Sequence, residues 1–378
     1  MAALTEEQSM IRDQAKAWVA ERSPVRKFRE MRDSKVEQAF LPETWNAMIE
    51  MGWPGIIIPE QYGGSNLGYL TFGVVLEEAG RNLVASPLFA SALAGASAIL
   101  LGGSDAQKSR LLPGIAQGSQ IVTLAVDESA RHAPRHVTLR AEKRGNGYAL
   151  TGAKTLVQEG LSATTFVVSA RTDGEANDSN GITLFAVPGD AKGLSRTRLT
   201  TVDSRGYANV AFDGVTVGAD ALLGRVDQGY ALLESILDRA RAGAAAEMLG
   251  TAAQAFDMTL EYLKTRVQFG RVIGSFQALG HRAADLFSEM ELARSCMEAA
   301  LQAIDANSDN IAEACSLSKA KTGDFLHHMS NQLIQIHGGI GMTDEFDAGF
   351  YLKRARALEA AFGNQAYHRD RYATLLGF

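Results

Sequence analysis

Two short stretches carry the residue types that a ligand with phosphates and flat rings would need. In Tyr262-Leu263-Lys264-Thr265-Arg266-Val267-Gln268-Phe269-Gly270-Arg271, helical text ends in a cation, an aromatic ring and a glycine. Arg266 and Phe269 stand three apart near the end of the predicted helix and so share a face. Gly270 supplies the positive φ that ends it. A guanidinium pairs with phosphate oxygens and an apolar ring stacks on a flat one, which suits a dinucleotide. The same residues also read as a helix cap with a solvated arginine.

The second stretch, Gln335-Ile336-His337-Gly338-Gly339-Ile340-Gly341, sets three glycines directly after an apolar helix. Backbone N–H groups without side chains beside them approach phosphate closely. The order is not the strand-then-helix fingerprint of a Rossmann site, and a plain interhelical turn reads equally from it. His337 either contacts phosphate or caps the carbonyls of its helix. His327 and His328 are adjacent rather than a helical turn apart, so no metal is implied. Cys296 and Cys315, the two cysteines, lie in helical text and read as buried free thiols.

The elements that position these stretches follow from periodicity. Thr5 and Gln8 form a capping-box pattern, with Ile11, Ala15, Trp18 and Val19 at helical spacing behind them. Helical text continues over 42–51, 70–80 and the Ala- and Leu-rich 86–116. Near Ile121 the texture turns to short Val-, Thr- and Phe-rich runs, predicting strands over 137–141, 165–170, 182–187 and 209–212. Gly145-Asn146-Gly147 reads as a hairpin turn, and 173–180 as an exposed loop. From Tyr230 helix returns, over 232–266, 277–305, 311–337 and 351–362. The expected class is α+β: an N-terminal helical domain (1–120), a middle antiparallel β-sandwich or barrel (121–226) and a C-terminal four-helix bundle (227–378).

Composition narrows the function. The chain has 378 residues, 46% hydrophobic and 21% charged, with a net charge of -6 and no apolar run long enough for a membrane span. Scattered rather than clustered Lys and Arg argue against nucleic acid. The start, Met1-Ala2-Ala3-Leu4-Thr5-Glu6-Glu7-Gln8, does not read as a signal peptide, and the expected location is the cytoplasm.

Taken together with Pro59-Glu60-Gln61-Tyr62-Gly63-Gly64, the two stretches and their order after a β segment resemble the acyl-CoA dehydrogenase family over nearly the whole chain. The resemblance implies FAD bound in part across a subunit boundary, hence a dimer or tetramer. Position by position, it implies cofactor contacts from Arg266, Gln268, Phe269, Gln277, Gln335, Gly338 and Gly339, and substrate contacts from Asp238 and Arg241. It further implies an acyl-CoA substrate and an electron-transfer flavoprotein as acceptor. Gly152-Ala153-Lys154-Thr155-Leu156-Val157-Gln158 matches the stretch that normally sets a tryptophan beside the flavin, with Leu156 in its place, and Leu124-Ala125-Val126-Asp127-Glu128-Ser129 lacks the usual threonine and glycines.

The larger departure concerns the base. The family removes the α-proton of a thioester while the β-hydrogen leaves as hydride to flavin N5, so a carboxylate must face the substrate. Phe362, in Glu359-Ala360-Ala361-Phe362-Gly363-Asn364, holds the usual base position, and Ala240 holds the alternative one. Glu247 and Glu359 are the remaining candidates. Glu247 follows Ala240 by seven residues on nearly the same helical face, a rise of roughly 10 Å. Its small apolar neighbours suit either a desolvated base or a buried carboxylate bonded to another helix; Glu359 turns either to the cleft or to solvent. The ending is similar to the bacterial small-subunit type, as in pimeloyl-CoA dehydrogenases. Three readings follow: an acyl-CoA dehydrogenase with a substituted or partner-supplied base, a catalytically silent half-site subunit of a heteromer, and a related flavin oxidase or monooxygenase.

Overall fold

The computed structural model describes residues 4–378; Met1, Ala2 and Ala3, which belong to the leader reading and to the first domain's range, lie outside the described residues. Contacts divide the chain into two units. One, the bundle unit, holds the chain up to Glu30, Tyr69–Val84 and Arg241–Phe378. The other, the sheet unit, holds Met31–Gly68 and Ala85–Ala240.

In the bundle unit, helix α1 (Glu6–Arg22) starts from the expected capping box: Gln8 N–H donates to Thr5 Oγ1 at 3.1 Å and Thr5 N–H to Gln8 Oε1 at 3.0 Å. Helix α2 (Val25–Asp33) follows; α3 (Pro42–Glu50) belongs to the sheet unit, and with α4 (Gly68–Arg81) the chain is again in this one. Helix α4 crosses α7 (Gly229–Thr265) at backbone distance. A Cβ on Gly80 would stand 2.3 Å from the Glu247 carbonyl oxygen, and one on Gly250 1.8 Å from that of Glu77. The Ala- and Gly-rich text around Glu247 is therefore the contact surface of a close helix crossing. Helices α8 (Gln277–Asp305) and α9 (Ile311–His337) keep the bounds expected of them, and α10 is Ala348–Ala360. Asp305, at the end of α8, accepts from the N–H groups of Tyr69 (2.6 Å) and Leu70 (2.9 Å) at the start of α4, which have no carbonyl one turn earlier in the helix to bond. The bundle also contains α11 (Gln365–Leu375), beyond the four helices read from sequence.

In the sheet unit, a π-helical turn over Leu88–Gly95 leads into α5 (Ala96–Gly102) and then α6 (Asp105–Ala116). Eight strands follow: β1 (Val122–Ala125), β2 (Arg140–Arg144), β3 (Gly147–Gln158), β4 (Thr165–Arg171), β5 (Ile182–Pro188), β6 (Leu194–Leu199), β7 (Tyr207–Gly218) and β8 (Leu222–Leu223). They form one sheet in the order β6-β7-β3-β2-β4-β5-β8, with β1 on β4. Most pairings are antiparallel, but β1–β4 and the single β2–β4 pairing are parallel, so the sheet is mixed. Tyr148 of β3 meets Phe185 of β5 edge-on at 5.1 Å although two strands separate them in the order. The sheet thus curls over a shared core that includes Phe166, Val210 and Phe212.

The expected strand over 137–141 begins instead at Arg140. Val137 N–H bonds to the Ala176 carbonyl (2.9 Å) and the Leu139 carbonyl takes Arg171 N–H (2.7 Å), so these backbone groups serve the loop and β4 instead. The loop over 173–180 is tied from within by Arg171, whose buried guanidinium donates to the carbonyls of Asn180 (2.6 Å), Ala176 (2.9 Å) and Asp178 (3.0 Å). Among the described residues, no helix is long and apolar enough to cross a membrane, and no cluster of ligating side chains would hold a metal.

Candidate functional site

The first stretch is a hairpin, which corrects the helical reading. Helix α7 stops at Thr265, and β9 (Val267–Gln268) pairs antiparallel with β10 (Arg271–Val272), closed by Ile273 N–H on the Arg266 carbonyl at 2.8 Å. Arg266 and Phe269 therefore do not share a helical face. Gly270 has its positive φ of 77°, but as the second residue of a two-residue turn whose first, Phe269, is also left-handed at 53°. A phenylalanine rarely accepts that conformation. This one is 92% exposed, held by an edge contact to Phe276 (6.1 Å) over which the Arg271 guanidinium lies at 4.0 Å.

The glycine turn stands at the same end of the bundle. Tyr262, which accepts Arg266 N–H at 2.9 Å, stacks on His337 at 4.3 Å and donates its hydroxyl to the His337 carbonyl at 3.4 Å. His337 Nδ1–H donates to the Leu333 carbonyl at 2.8 Å, so the ring caps its own helix. Burial, opposed by that hydrogen bond, lowers its pKa and keeps it neutral. After it, Gly338 takes a φ of 62°, and a Cβ on Gly338 or Gly339 would meet nothing within 4 Å. Arg266, Gln268, Phe269, Gln277, Gln335, Gly338 and Gly339 are all exposed. Among the described residues Arg266 has no carboxylate partner, and α8 starts at Gln277 with no side chain capping its N–H groups.

Neither candidate carboxylate is free. Glu247 Oε1 accepts from Arg354 Nη2 (2.6 Å) and Nε (3.1 Å), both side chains buried. That is a brace between α7 and α10. Glu359 is 9% exposed and accepts from Arg356, with His327 Nδ1 3.0 Å from its other carboxylate oxygen. Arg241 is fully buried and donates to the Tyr367 hydroxyl at 3.3 Å. In the sheet unit, Asp238 and Ala240 are buried on α7.

Phe362 sits in the turn between α10 and α11 with a φ of 57°, followed by Gly363 at 99°. Two side chains that sequence reasoning passed over hold this turn. Lys319, 1% exposed on α9, donates to the carbonyls of Leu358 (3.1 Å), Glu359 (3.3 Å) and Gly363 (3.1 Å). His368 Nε2–H donates to the Phe362 carbonyl at 3.0 Å. Their signal is spacing: Lys319 falls on the helical face of Cys315, Thr322 and Leu326, all buried. Leu156 also has a left-handed backbone (51°), where Thr155 and Leu156 bulge from β3 opposite Asn209. Lys154 anchors that bulge, donating to Glu128 Oε1 (2.8 Å), the Val126 carbonyl (3.0 Å) and Ser169 Oγ (3.0 Å).

Three family models match in chain order: "Acyl-CoA dehydrogenase, N-terminal domain" over 5–119, "middle domain" over 127–215 and "C-terminal domain" over 227–376. "Probable acyl-CoA dehydrogenase YngJ" of Bacillus subtilis (strain 168) is 31% identical over 97% of this chain and 97% of its own. The chain belongs to the acyl-CoA dehydrogenase family. Its members are oxidoreductases acting on a CH–CH bond. Among solved structures, a chain in that of the "Electron transferring flavoprotein of Acidaminococcus fermentans" is 28% identical, covering 100% of this chain and 99% of that one, with a TM-score of 0.92. One in the ChsE4-ChsE5 complex from Mycobacterium tuberculosis is 27% identical, covering 99% and 98%, with a TM-score of 0.89.

For an acyl-CoA dehydrogenase, the hairpin and glycine turn suit the flavin nucleotide. A guanidinium with no competing carboxylate, an exposed ring and two glycines with open space beside them match phosphate and ring chemistry in one place. At the two positions where the resemblance leads one to expect a base, Phe362 and Ala240 carry no titratable group, and the carboxylates of Glu247 and Glu359 are each held by an arginine.

Proposed function

We propose that this acyl-CoA dehydrogenase binds FAD through Arg266, Gln268, Phe269, Gln277, Gln335, Gly338 and Gly339 and takes part in the α,β-dehydrogenation of an acyl-CoA thioester. The observation that carries the reading is the exposed hairpin and glycine turn joined through Tyr262 and His337 at one end of the bundle. Bound FAD supplies the hydride acceptor for the Cβ–H bond. Arg266 would pair with a phosphate, and Gly338 and Gly339, with open space where a Cβ would stand, would let their N–H groups come close to it. Asp238 and Arg241 belong to the substrate end, as the matching helix does in the family, and Arg241 is pre-oriented by the Tyr367 hydroxyl. Phe269, almost wholly exposed, and its hairpin fit a site completed by a second subunit.

The α-proton needs an acceptor that residue 362 does not provide. The proposal therefore assigns it to a homologous partner chain, in the manner of the small-subunit type, with an electron-transfer flavoprotein as the final acceptor. A specific observation favours a second reading, a silent half-site subunit: Glu247 and Glu359 are both engaged by arginine. Anaerobic mixing with acyl-CoA thioesters of several chain lengths, with and without a co-expressed homologue, separates the two. Bleaching of the flavin band with the homologue present supports catalysis in the complex. No bleaching in any combination supports the silent subunit.

A further inference from the structure

The α10–α11 turn is held more firmly than a surface connection requires. Its two left-handed residues, Phe362 (57°) and Gly363 (99°), follow the last turn of α10, whose carbonyls lack helical partners. A Cβ on Gly363 would stand 2.4 Å from the Tyr367 ring, so only glycine fits there. Asn364 then caps α11 by accepting Tyr367 N–H at 3.0 Å. Into this turn α9 inserts the ammonium of Lys319, nearly inaccessible to water, with one N–H for each of three carbonyls: Leu358, Glu359 and Gly363. A buried lysine costs desolvation, and nothing in packing α9 demands one.

We propose that Lys319 is the positioning residue of this active-site turn, its ammonium holding residue 362 in the left-handed conformation by bonding the carbonyls on both sides of it. What residue 362 faces rests on the acyl-CoA dehydrogenase reading; the clamp itself rests on the three contacts. Lys319 is not the missing base, because all of its N–H bonds are spent on backbone oxygens. When the ammonium loses a proton, two N–H bonds remain for three carbonyls, and the turn loosens. Burial brings that step down to about 7, opposed by the Glu359 carboxylate of α10 and reinforced by the Arg241 guanidinium of α7. His368 of α11 stays neutral, its pKa brought down to about 2 chiefly by burial, with the Lys319, Arg241 and Arg371 charges helping to lower it.

Hydrogen exchange of the purified holoprotein, read by mass spectrometry on peptides spanning 358–368 and corrected for intrinsic rates, tests this well below and well above pH 7. The wild type should lose roughly five- to tenfold protection in that segment on the alkaline side, with the rest of α9 unchanged. Lys319→Met should show the lower protection at both pH values, and Lys319→Arg the higher protection at both. Protection of 358–368 that is flat with pH in the wild type overturns the proposal, as does full protection in a folded Lys319→Met. If Lys319→Met does not fold, the wild-type pH comparison and Lys319→Arg decide alone. The underlying reading is tested separately by Phe362→Glu mixed anaerobically with acyl-CoA. No flavin bleaching there, with the pH-dependent protection intact, counts against the reading and leaves the clamp standing.

Discussion

Replacing Arg354 with methionine would strand the Glu247 carboxylate inside the bundle, and the expected cost follows from the geometry. Glu247 Oε1 takes two guanidinium N–H bonds, at 2.6 and 3.1 Å, from a pair whose side chains are 4% (Arg354) and 9% (Glu247) exposed. Removing one member of a buried pair costs about 3–5 kcal/mol, whereas replacing both with apolar residues of similar volume is often neutral or stabilising. Arg354→Met and Glu247→Leu should therefore each lower the unfolding free energy by about that amount, and the double variant should recover most of it. Urea unfolding followed by far-ultraviolet circular dichroism on the flavin-loaded protein measures all four corners of the cycle. The reasoning treats Glu247 as a brace. It is refuted if Glu247→Gln keeps full stability yet abolishes substrate bleaching of the flavin, because that carboxylate would then be free to act as the base.

Three further outcomes follow from the same contacts. Gly250→Ala drives a methyl into the Glu77 carbonyl, 1.8 Å away, and should destabilise the bundle by about 1–3 kcal/mol or more, visible as a lower urea midpoint. Phe269→Asn relieves a left-handed aromatic and should leave the flavin-free protein as stable or more so while reducing flavin retained on dilution; unchanged retention removes Phe269 from the site. His368 has a folded pKa lowered to about 2, far below the unfolded value of about 6.5, so the unfolded chain binds the extra proton as pH falls below that value. The stability it contributes is complete above about pH 6.5 and declines below it, by up to ~1.4 kcal/mol per pH unit. His368→Gln should show a shallower acid slope in urea titrations than the wild type.

Much of the fold is legible in the sequence because its helices are long and strongly periodic. Helices α8 and α9 have the bounds that periodicity assigns them. Helix α11 escapes because Gln-Ala-Tyr-His-Arg-Asp-Arg-Tyr-Ala-Thr-Leu offers little apolar stripe and leans on α9 through Arg371 and Ser316 (2.6 Å). The hairpin at Val267–Val272 escapes because a Phe-Gly turn with both residues left-handed is not a turn that propensity suggests. The small residues around Glu247 read either as a desolvating pocket for a base or as surroundings of a buried carboxylate bonded to another helix; in the structure the second holds, and the same small residues let α4 approach α7. Lys319 and His368 are visible only as polar residues on buried helical positions, and what they hold depends on where a distant turn arrives.

Flavin quantified per chain, in the wild type and in Arg266→Ala purified side by side with any co-expressed homologue, tests the central claim most directly. Loss of the Arg266 contact to phosphate should cost about 1.5–3 kcal/mol, a weakening of flavin binding of roughly ten- to a hundredfold, so the wild type should be yellow and the variant largely colourless after dilution. Equal flavin content in the two proteins, or none in either, would contradict the assignment of this hairpin to the cofactor.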